Sequence, residues 1–465
     1  MEQTVSVSPE VIAAAPHTGL RSGVLSPMET LAQSISTIAP TTSPTMTVPL
    51  VFVLAGNGTW LAYLFAMGAI LLMALCISKF ARYTSCSGSL YTYVTSSLPP
   101  VAAAIAGWAM LIAYVATGTS VAGGFILYAN EFIAKAFGHP ASAVLLALLC
   151  VGGATFIAYR DVQISARLML WIEATAVLMI GIILVLLLWR NGLHIDQPQL
   201  RLEGVSASGV RLGVVLALFS FVGFESATSL GAEAVNPLRT IPRAVIQSAL
   251  FAGLFFVLCA YLETLGMHKL NQNLGESTAP MSALANLAGV GGLGVFIDFG
   301  ALVSMFACVL ACLTAAARVL LRMAQNGLVP GWLGTTHHKN STPHLAVFLM
   351  GLCTAILVAG LAARGVSGSD IYGWMGSLAV YGFITCYGLA TVALPVYLKR
   401  NHHLTAGTIV LSVATGIAML LALAGTLYPV PASPYNWLPY VYLGYLACGA
   451  GWFFFTKQRL QSLDE

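Results

Sequence analysis

The residues best suited to chemistry in this chain lie inside long apolar stretches. The run Ile38-Ala39-Pro40-Thr41-Thr42-Ser43-Pro44 interrupts the first of these stretches. Its two prolines remove backbone donors and push the preceding residues out of the helical region, while its hydroxyls offer the freed backbone groups other partners. We therefore predict a helix that breaks and restarts, with a simple proline kink as the alternative.

The restarting half-helix would begin near Pro44, which suits a first helical turn, with Thr42 or Ser43 as its N-cap. A helix N-terminus carries partial positive charge and free N–H groups, which suit a carboxylate. We therefore predict that a substrate contacts the residues at this break, namely Ile38, Ala39, Thr41, Thr42 and Ser43.

Two acids in apolar stretches are the next candidates. Glu225 lies in Gly223-Phe224-Glu225-Ser226, and Glu173 lies in Leu170-Trp171-Ile172-Glu173-Ala174. An unpaired charge at the bilayer centre costs about 2.5–3.5 kcal/mol, so such acids are expected to be functional or well bonded. For Glu225 the alternative is a carboxylate that bonds backbone donors freed by a break.

The composition identifies the elements that must position these residues. Hydrophobic residues make up 58% of the 465 and charged residues 8%, against about a quarter charged in soluble domains. The chain is therefore predicted to be an all-α integral membrane protein in a lipid bilayer. Its nine cysteines are odd in number and mostly lie in apolar runs, which argues against a disulfide framework.

Apolar runs of about 20 residues predict twelve transmembrane helices. They lie near residues 31–54, 59–79, 100–134, 141–159, 165–189, 209–233, 241–267, 293–322, 344–363, 371–398, 405–427 and 438–456. Most of the 20 basic residues then fall on the side that holds both termini, which the positive-inside rule places in the cytoplasm. The net charge of +4 reflects this topology, and no nucleic-acid partner is expected.

The sixth run also looks broken, because Gly223, Glu225 and three hydroxyls follow one another in mid-membrane. Interrupted helices at positions one and six are typical of a five-plus-five inverted repeat around one central site. We predict a disordered cytoplasmic tail over 1–27, a transport core of ten helices over 28–400, accessory helices eleven and twelve over 401–457, and a cytoplasmic C-terminal tail over 458–465.

Three motifs resemble those of the amino acid, polyamine and organocation (APC) transporter superfamily. Gly223-Phe224-Glu225 with residues 236–243 resembles its sixth-helix signature. Residues 318–327 with Thr342-Pro343 resemble its eighth helix and the following loop, and residues 87–93 resemble its small-Gly-Gly-x-Tyr-x-Tyr run. The resemblance covers about residues 28 to 400. It implies a multi-pass permease of the cytoplasmic membrane that moves amino acids by alternating access.

The resemblance also implies roles for particular residues. Glu225 would be a gate or proton-linked group, and Phe219 an aromatic lid over the substrate, with apolar packing as the alternative. Tyr114 and Cys312 fall where relatives line the pocket, although packing is the simpler interpretation for Cys312. The broken sixth helix places Phe221 and Gly223 beside the substrate as well.

Two departures from the family bear on coupling and substrate. Glu173 stands where many relatives have lysine, and an acid there takes a proton or attracts a cation, or is a neutral hydrogen-bonded group. Side chains near Cys308 and Cys312 supply no oxygen ligands for sodium, which favours proton coupling or exchange. Thr42-Ser43-Pro44 is bulkier than the family's Gly-small-Gly break, and Glu173, Glu225 and Asp298 are acids, so an amine or polyamine substrate remains the alternative.

Other functions have little support in the sequence. No Gly-rich phosphate loop with Lys-Ser or Lys-Thr is present, which argues against an ATP-driven pump. The nine histidines fall in loops or at span edges, so no cofactor or intramembrane metal is expected. A membrane-embedded enzyme or a receptor would need a catalytic constellation or an extramembrane domain, and the chain shows neither. A secondary transporter, not an enzyme, is the prediction, with the oligomeric state left open.

Overall fold

The computed structural model describes residues 19–84, 87–190, 195–277, 280–428 and 430–464. Within these ranges the regular structure is helical, and the β-type pairing is one isolated bridge between Leu25 and Ala234. The α-helices, in chain order, are α1 (Pro27–Ile38), α2 (Val48–Ala55), α3 (Thr59–Ala81), α4 (Ser89–Thr95), α5 (Pro100–Phe137), α6 (Ala143–Arg160), α7 (Val162–Arg190), α8 (Gln197–Leu200), α9 (Ala207–Phe219), α10 (Pro237–Leu270), α11 (Pro280–Leu287), α12 (Gly291–Gln325), α13 (His344–Ala363), α14 (Gly368–Arg400), α15 (Ala406–Leu427) and α16 (Leu438–Asp464).

In the part of the chain that the structure describes, ten helical segments are long and apolar enough to cross a membrane. Most agree with the predicted spans to within a few residues. The first segment, Pro27–Ala81, has 55 residues, against about 20 needed for one crossing. A 3₁₀ turn at Gly56–Gly58 divides it, and the positive φ of 52° at Gly56 lets the chain reverse there.

The first helix breaks where its two prolines predict. α1 begins with a capping box in which Ser26 Oγ accepts from the Glu29 N–H and Glu29 Oε2 accepts from the Ser26 N–H. It ends at Ile38, after which Ala39 takes a left-handed φ of 51°. A five-residue π-helix, Ser43–Thr47, then leads directly into α2.

Thr42 takes the N-cap position of the restarting half-helix but does not cap it through its side chain, and the alternative, Ser43, is already the first residue of the π-helix. Thr42 already has helical dihedral angles, φ −66° and ψ −35°, and its side chain makes no capping hydrogen bond. An N-cap needs extended dihedrals to bring its oxygen to the next N–H groups, so the wide π turn removes this role. Thr45 Oγ1 instead donates to the Thr41 carbonyl, at 2.9 Å.

The sixth predicted span is an α-helix only in its first half. α9 ends at Phe219, and the chain continues in tight turns, with the Phe221 N–H donating to Leu218 O and the Phe224 N–H to Phe221 O. Gly223 has φ +91°, and a 3₁₀ helix, Ser226–Leu230, replaces the expected second α-helical half. The long unwound segment leaves many backbone N–H and C=O groups near the middle of the molecule without helical hydrogen bonds. These groups need other polar partners.

Close helix packing surrounds the two breaks. α5 packs against both α12 and α14, α3 against α10, and α6 against α13. At Gly382 a Cβ would lie 2.6 Å from the Ala109 carbonyl oxygen, so glycine is required for α14 to approach α5 this closely. This contact brings side chains of α5 and α14 together around the unwound segment after α9.

Residues 1–18 of the predicted disordered tail, together with Cys86, lie outside the described residues. Ordered structure begins before the predicted boundary at residue 28. The Val24 and Leu25 N–H groups donate to the Glu233 carbonyl at 2.9 and 3.0 Å, and the Leu25 side chain is fully buried. At the other end of the chain, α16 continues to Asp464, through most of the predicted C-terminal tail.

Candidate functional site

A small polar cavity lies where the two helix breaks meet. Its volume is about 10 Å³, near the lower limit for one ordered water molecule. It is lined by Thr37, Ile38, Ala39, Thr42, Ser43, Thr117, Val121, Phe219, Ser220, Val222 and Tyr372. No charged side chain of the described residues is in this lining. The cavity is therefore too small for a substrate unless its walls move.

The two broken segments cross in direct contact. At Gly223 a Cβ would lie 2.2 Å from Thr37 Cγ2, so a side chain cannot be accommodated at this crossing. Thr37 Oγ1 and Ser226 Oγ are 2.8 Å apart, and the Ala227 N–H donates to Ser34 Oγ at 3.0 Å. Hydroxyls of α1 thus bond the unwound segment and fix the position of one break against the other.

An aromatic pair closes the cavity on one side. The Phe219 and Tyr372 rings meet edge to face, with centroids 5.5 Å apart. Tyr372 is held by a 2.7 Å hydrogen bond between its hydroxyl and Thr47 Oγ1, and its carbonyl accepts from Ser120 Oγ at 2.6 Å. The same two rings line a larger pocket on their other side. They therefore separate two compartments.

The structure divides the predicted substrate contacts into two groups. Ile38, Ala39, Thr42, Ser43 and Phe219 line the cavity. The predicted residues outside its lining are Thr41, Tyr114, Phe221, Gly223 and Cys312.

Each residue of the second group has another environment. The Phe221 ring packs on Tyr63 and Phe256, with centroids at 6.4 and 5.3 Å. Thr41 Oγ1 is buried without a hydrogen-bond partner. Cys312 is buried opposite Gly118, where its Cβ is 3.6 Å from the position of an added Cβ. Cys312 is thus packed against α5.

Sequence reasoning missed six lining residues, which are Thr37, Thr117, Val121, Ser220, Val222 and Tyr372. Thr117 lies almost one helical turn after the predicted residue Tyr114 on the same helix, α5. Ser220 and Val222 are the sequence neighbours of Phe221. The hydroxyl of Ser220, beside the helix break, was a signal from which this residue could have been predicted to line the cavity. Tyr372 carries no local signal, because its role depends on contact with Phe219.

Glu225 is fully buried between three elements. Its Oε1 accepts from the Tyr114 hydroxyl at 2.9 Å, and its Oε2 accepts from the Tyr387 hydroxyl at 2.7 Å. Both carboxylate oxygens thus bind tyrosines of α5 and α14. This arrangement fastens the unwound segment to both helices and turns the acid away from the cavity.

Glu173 lies on α7 and is 2% exposed. Both of its oxygens are 2.9 Å from Ser304 Oγ on α12. Ser36 of α1 is a further hydroxyl that interacts with this carboxyl group. Among the described residues no lysine or arginine forms an ion pair with it. The side chain bridges two helices that pack together, and α1 also packs against both.

The whole chain can now be compared with known proteins. A family model described as "Amino acid permease" matches residues 25–450. The chain belongs to the amino acid permease family. It is 27% identical over 320 residues to the branched-chain amino acid permease BcaP of Bacillus subtilis, covering 66% of this chain and 68% of the relative.

Two further similarities extend this result. The methylthioribose transporter of Bacillus subtilis is 24% identical over 365 residues, covering 76% of each chain. A crystal structure of the Eremococcus coleocola manganese transporter superposes with a TM-score of 0.56 at 14% identity over 94% of each chain, which shows a shared fold. The family members named here are transporters rather than enzymes, as the sequence predicted.

A buried ion pair joins α12 to the chain that follows the 3₁₀ helix Ser226–Leu230. Arg318 of α12 binds Glu233 through two hydrogen bonds, Nε to Oε2 at 2.6 Å and Nη2 to Oε1 at 2.9 Å. Both side chains are almost inaccessible to solvent. The Glu233 carbonyl also accepts from Val24 and Leu25, so the segment before α1 is attached to the same point. These contacts join α12, the segment after the 3₁₀ helix and the chain before α1.

Among the described residues, two other acids have carboxylate oxygens that make no hydrogen bond. Both oxygens of Glu263, on α10, are buried without a hydrogen bond, as is Asp298 Oδ1 on α12. Sequence reasoning singled out Asp298 and missed Glu263. In the described part of the chain, no three His, Cys, Asp or Glu side chains are grouped so that they could hold a metal ion.

Proposed function

We propose that this protein is a secondary transporter that moves amino acids across the cytoplasmic membrane by alternating access. The observation that carries the proposal is the meeting of three helix ends at one uncharged cavity. The half-helix that begins at Ser43 presents its N-terminus there, while α1 and α9 present their C-termini. A positive helix end suits a carboxylate and negative helix ends suit an ammonium group, so together they suit a zwitterion.

Twelve crossings follow if each broken segment counts as one. The first is then Pro27–Ala55, and the sixth runs from Ala207 through the 3₁₀ helix Ser226–Leu230. We propose a five-plus-five inverted repeat within these crossings. Its support is that the second, third and fourth crossings pack against the seventh, eighth and ninth, as α3 on α10, α5 on α12 and α6 on α13. Each of these contacts therefore pairs one helix with its counterpart in the other half of the proposed repeat, as a two-fold relation between crossings 1–5 and 6–10 requires.

The distribution of basic residues supports an orientation with both termini in the cytoplasm. The buried Arg318–Glu233 pair is then the inner gate, and the Phe219–Tyr372 pair is the outer lid. Because both are closed and the cavity holds no more than a water molecule, this conformation is the occluded state without substrate.

Amino acids with neutral side chains are the substrate class we favour. The cavity lining is uncharged, and the two oxygens of Glu225 are already bound by tyrosines. The relative BcaP is named for branched-chain amino acids, which fits such a lining. An amine or polyamine transporter of the same fold is the second candidate. It rests on the buried acids and would need Glu225 to leave its tyrosines.

We propose protons as the coupling ion, with Glu173 as the group that carries them. The acid has a hydroxyl partner and lies between helices that border the first break, so a change in its charge acts on that break.

The test is uptake into proteoliposomes with an inward proton gradient, with labelled amino acids and labelled amines offered as two separate pools. Uptake from the amino acid pool supports the proposal. Uptake from the amine pool alone would mean that the Thr42–Pro44 break has lost its carboxylate-binding role, and would replace the proposal by the second candidate. Absence of uptake from both pools, in vesicles that hold folded protein, would reject both.

A further inference from the structure

Four basic side chains gather at one end of the helix bundle, away from both helix breaks. Lys79 lies in the last turn of α3 and Arg82 directly follows that helix, while Lys399 and Arg400 are the last two residues of α14. Arg82, Lys399 and Arg400 are exposed, and Lys79 is partly exposed. We call these four residues the basic surface. Nothing in the proposed transport cycle uses them.

Aromatic contacts bring the two halves of the basic surface together. The Phe80 and Tyr397 rings have centroids 5.2 Å apart, and the Tyr397 hydroxyl is 3.0 Å from Thr84 Oγ1. Tyr83 stacks on His403, in the loop after α14, with ring centroids 5.1 Å apart. The end of α3 therefore contacts the end of α14 and the following loop. All four basic residues lie within three positions of these contacts in the sequence.

No acid compensates this charge. The two stretches of chain that form the basic surface contain no aspartate or glutamate anywhere in residues 30–130 or 371–463. Three other arginines form ion pairs with acids, which are Arg21–Asp161, Arg167–Glu29 and Arg318–Glu233. Among the described residues the basic surface has no such pair. Like charges held close together repel one another, so an anion from outside the protein is stabilised there.

The basic surface continues directly into an apolar face of α3. Leu64, Gly68, Leu75 and Lys79 are spaced by four, seven and four residues, which places them on one side of the helix. Leu64 and Leu75 are 42% and 43% exposed, so this side faces hydrocarbon in a membrane. Lys79 ends the row, where its long stem lets the amine reach the headgroup level.

α15 supplies a second apolar face beside the first. Its residues Val410, Val413 and Ile417 are 68%, 57% and 53% exposed and lie on one side of the helix. α3 and α15 join along a seam, where Lys79 Nζ donates to Thr408 Oγ1 at 2.8 Å and Cys76 Sγ lies 3.4 Å from Thr415 Oγ1. An apolar chain that lies along this seam therefore has a positively charged group at its end.

We propose that the basic surface binds the headgroup of an anionic phospholipid, with one acyl chain along the seam between α3 and α15. A lipid contacts both the cations and the adjoining apolar faces, whereas a soluble anion contacts the cations alone. The bound headgroup neutralises charges from α3 and α14 and so holds these two helix ends together. The site does not depend on the proposed transport function. In the proposed orientation it faces the cytoplasmic leaflet.

Photolabelling tests the site without a transport assay. The full-length protein is placed in phosphatidylcholine vesicles that contain a trace of phosphatidylglycerol with a diazirine in one acyl chain. We expect cross-links on seam residues such as Leu75 and Val413. Phosphatidylcholine with the same diazirine should label these positions about five- to twentyfold less, because each exposed charge contact with the anionic headgroup contributes a factor of up to about five.

Two double variants with the same loss of charge separate this site from general electrostatic attraction. Arg82→Gln with Lys399→Gln removes one exposed cation from each half of the surface and should lower the preference for the anionic lipid at least about fourfold. Arg239→Gln with Arg243→Gln, at exposed positions near the start of α10, should leave it unchanged. An equal loss in both variants, or equal seam labelling by the two lipids, would overturn the proposal. Displacement by millimolar inorganic phosphate as complete as that by unlabelled phosphatidylglycerol would also overturn it, because the occupant would then be a soluble anion.

Discussion

Phe219 and Tyr372 meet edge to face with their ring centroids 5.5 Å apart, and together they divide the central cavity from the outer pocket. One ring comes from the last residue of α9 and the other from the first turns of α14. The lid is thus assembled from two elements that the chain brings together only on folding. The lid borders the cavity at which the two helix breaks meet, so it must move before a substrate can pass from the outer pocket to the breaks.

Replacing Phe219 with leucine should raise the KM for uptake by about two- to tenfold, because an aromatic pair contributes about 0.5–1.5 kcal/mol beyond area burial. The measurement is the concentration dependence of uptake in proteoliposomes. Phe221→Leu is the matched control, since Phe221 packs on Tyr63 and Phe256 away from the cavity. It should lower thermal stability and leave KM unchanged. An unchanged KM in Phe219→Leu would remove this residue from the substrate site.

Gly223→Ala should reduce uptake by at least about tenfold. The new Cβ would lie 2.2 Å from Thr37 Cγ2, and a non-glycine residue at φ +91° is strained by about 1–2 kcal/mol or more. The comparison is Gly68→Ala on α3, where nothing lies within 4 Å of the added methyl group and activity should be retained. Normal uptake by Gly223→Ala would show that the breaks need not touch.

Glu173→Gln should abolish accumulation against a gradient while leaving exchange of internal for external substrate. The amide retains a hydrogen-bonding partner for Ser304 and can no longer change its charge. Accumulation driven by a pH gradient and counterflow exchange are measured in the same vesicles. Ser304→Ala keeps the acid and should therefore keep accumulation. Survival of pH-driven accumulation in Glu173→Gln would assign the coupling to another group.

The Arg318–Glu233 pair should behave as a buried ion pair in thermal unfolding. Removal of one partner from such a pair costs about 3–5 kcal/mol, because it leaves the other charge buried and unpaired. Arg318→Met should therefore lower the unfolding temperature more than the double change Glu233→Leu with Arg318→Met. If the single and double variants unfold at the same temperature, the pair contributes no such coupling.

The position of the first helix break could be predicted from the local sequence. Its detailed geometry could not. Pro40 and Pro44 restrict the backbone of their neighbours in any tertiary structure, so the interruption of the helix follows from the sequence. The π-helix at Ser43–Thr47 does not follow from the sequence. It leaves Thr42 with helical dihedral angles and no capping hydrogen bond. Phe221 was predicted as a substrate contact from the broken sixth helix, and its ring packs on Tyr63 of α3 and Phe256 of α10.

Partners distant in sequence account for the other differences. Tyr114 lies on the predicted helix, yet its hydroxyl binds Glu225 instead of facing the cavity. Tyr372 was not predicted because nothing near it in sequence indicates a lid. Glu263 lies in the predicted span 241–267, and its complete burial inside the helix bundle depends on tertiary packing that the local sequence does not show.

The most direct test of the central claim uses three molecules that share one apolar side chain. Uptake of labelled leucine is measured in proteoliposomes with an inward proton gradient, in competition with unlabelled leucine, with its decarboxylated amine and with its deaminated acid. If the cavity recognises a zwitterion through the helix ends at Ser43 and Phe219, leucine competes and the two single-charge analogues compete at least about tenfold more weakly. Each analogue lacks one charge-assisted hydrogen-bonding group, which contributes about 1.5–3 kcal/mol. Competition by the amine as strong as that by leucine would contradict the account.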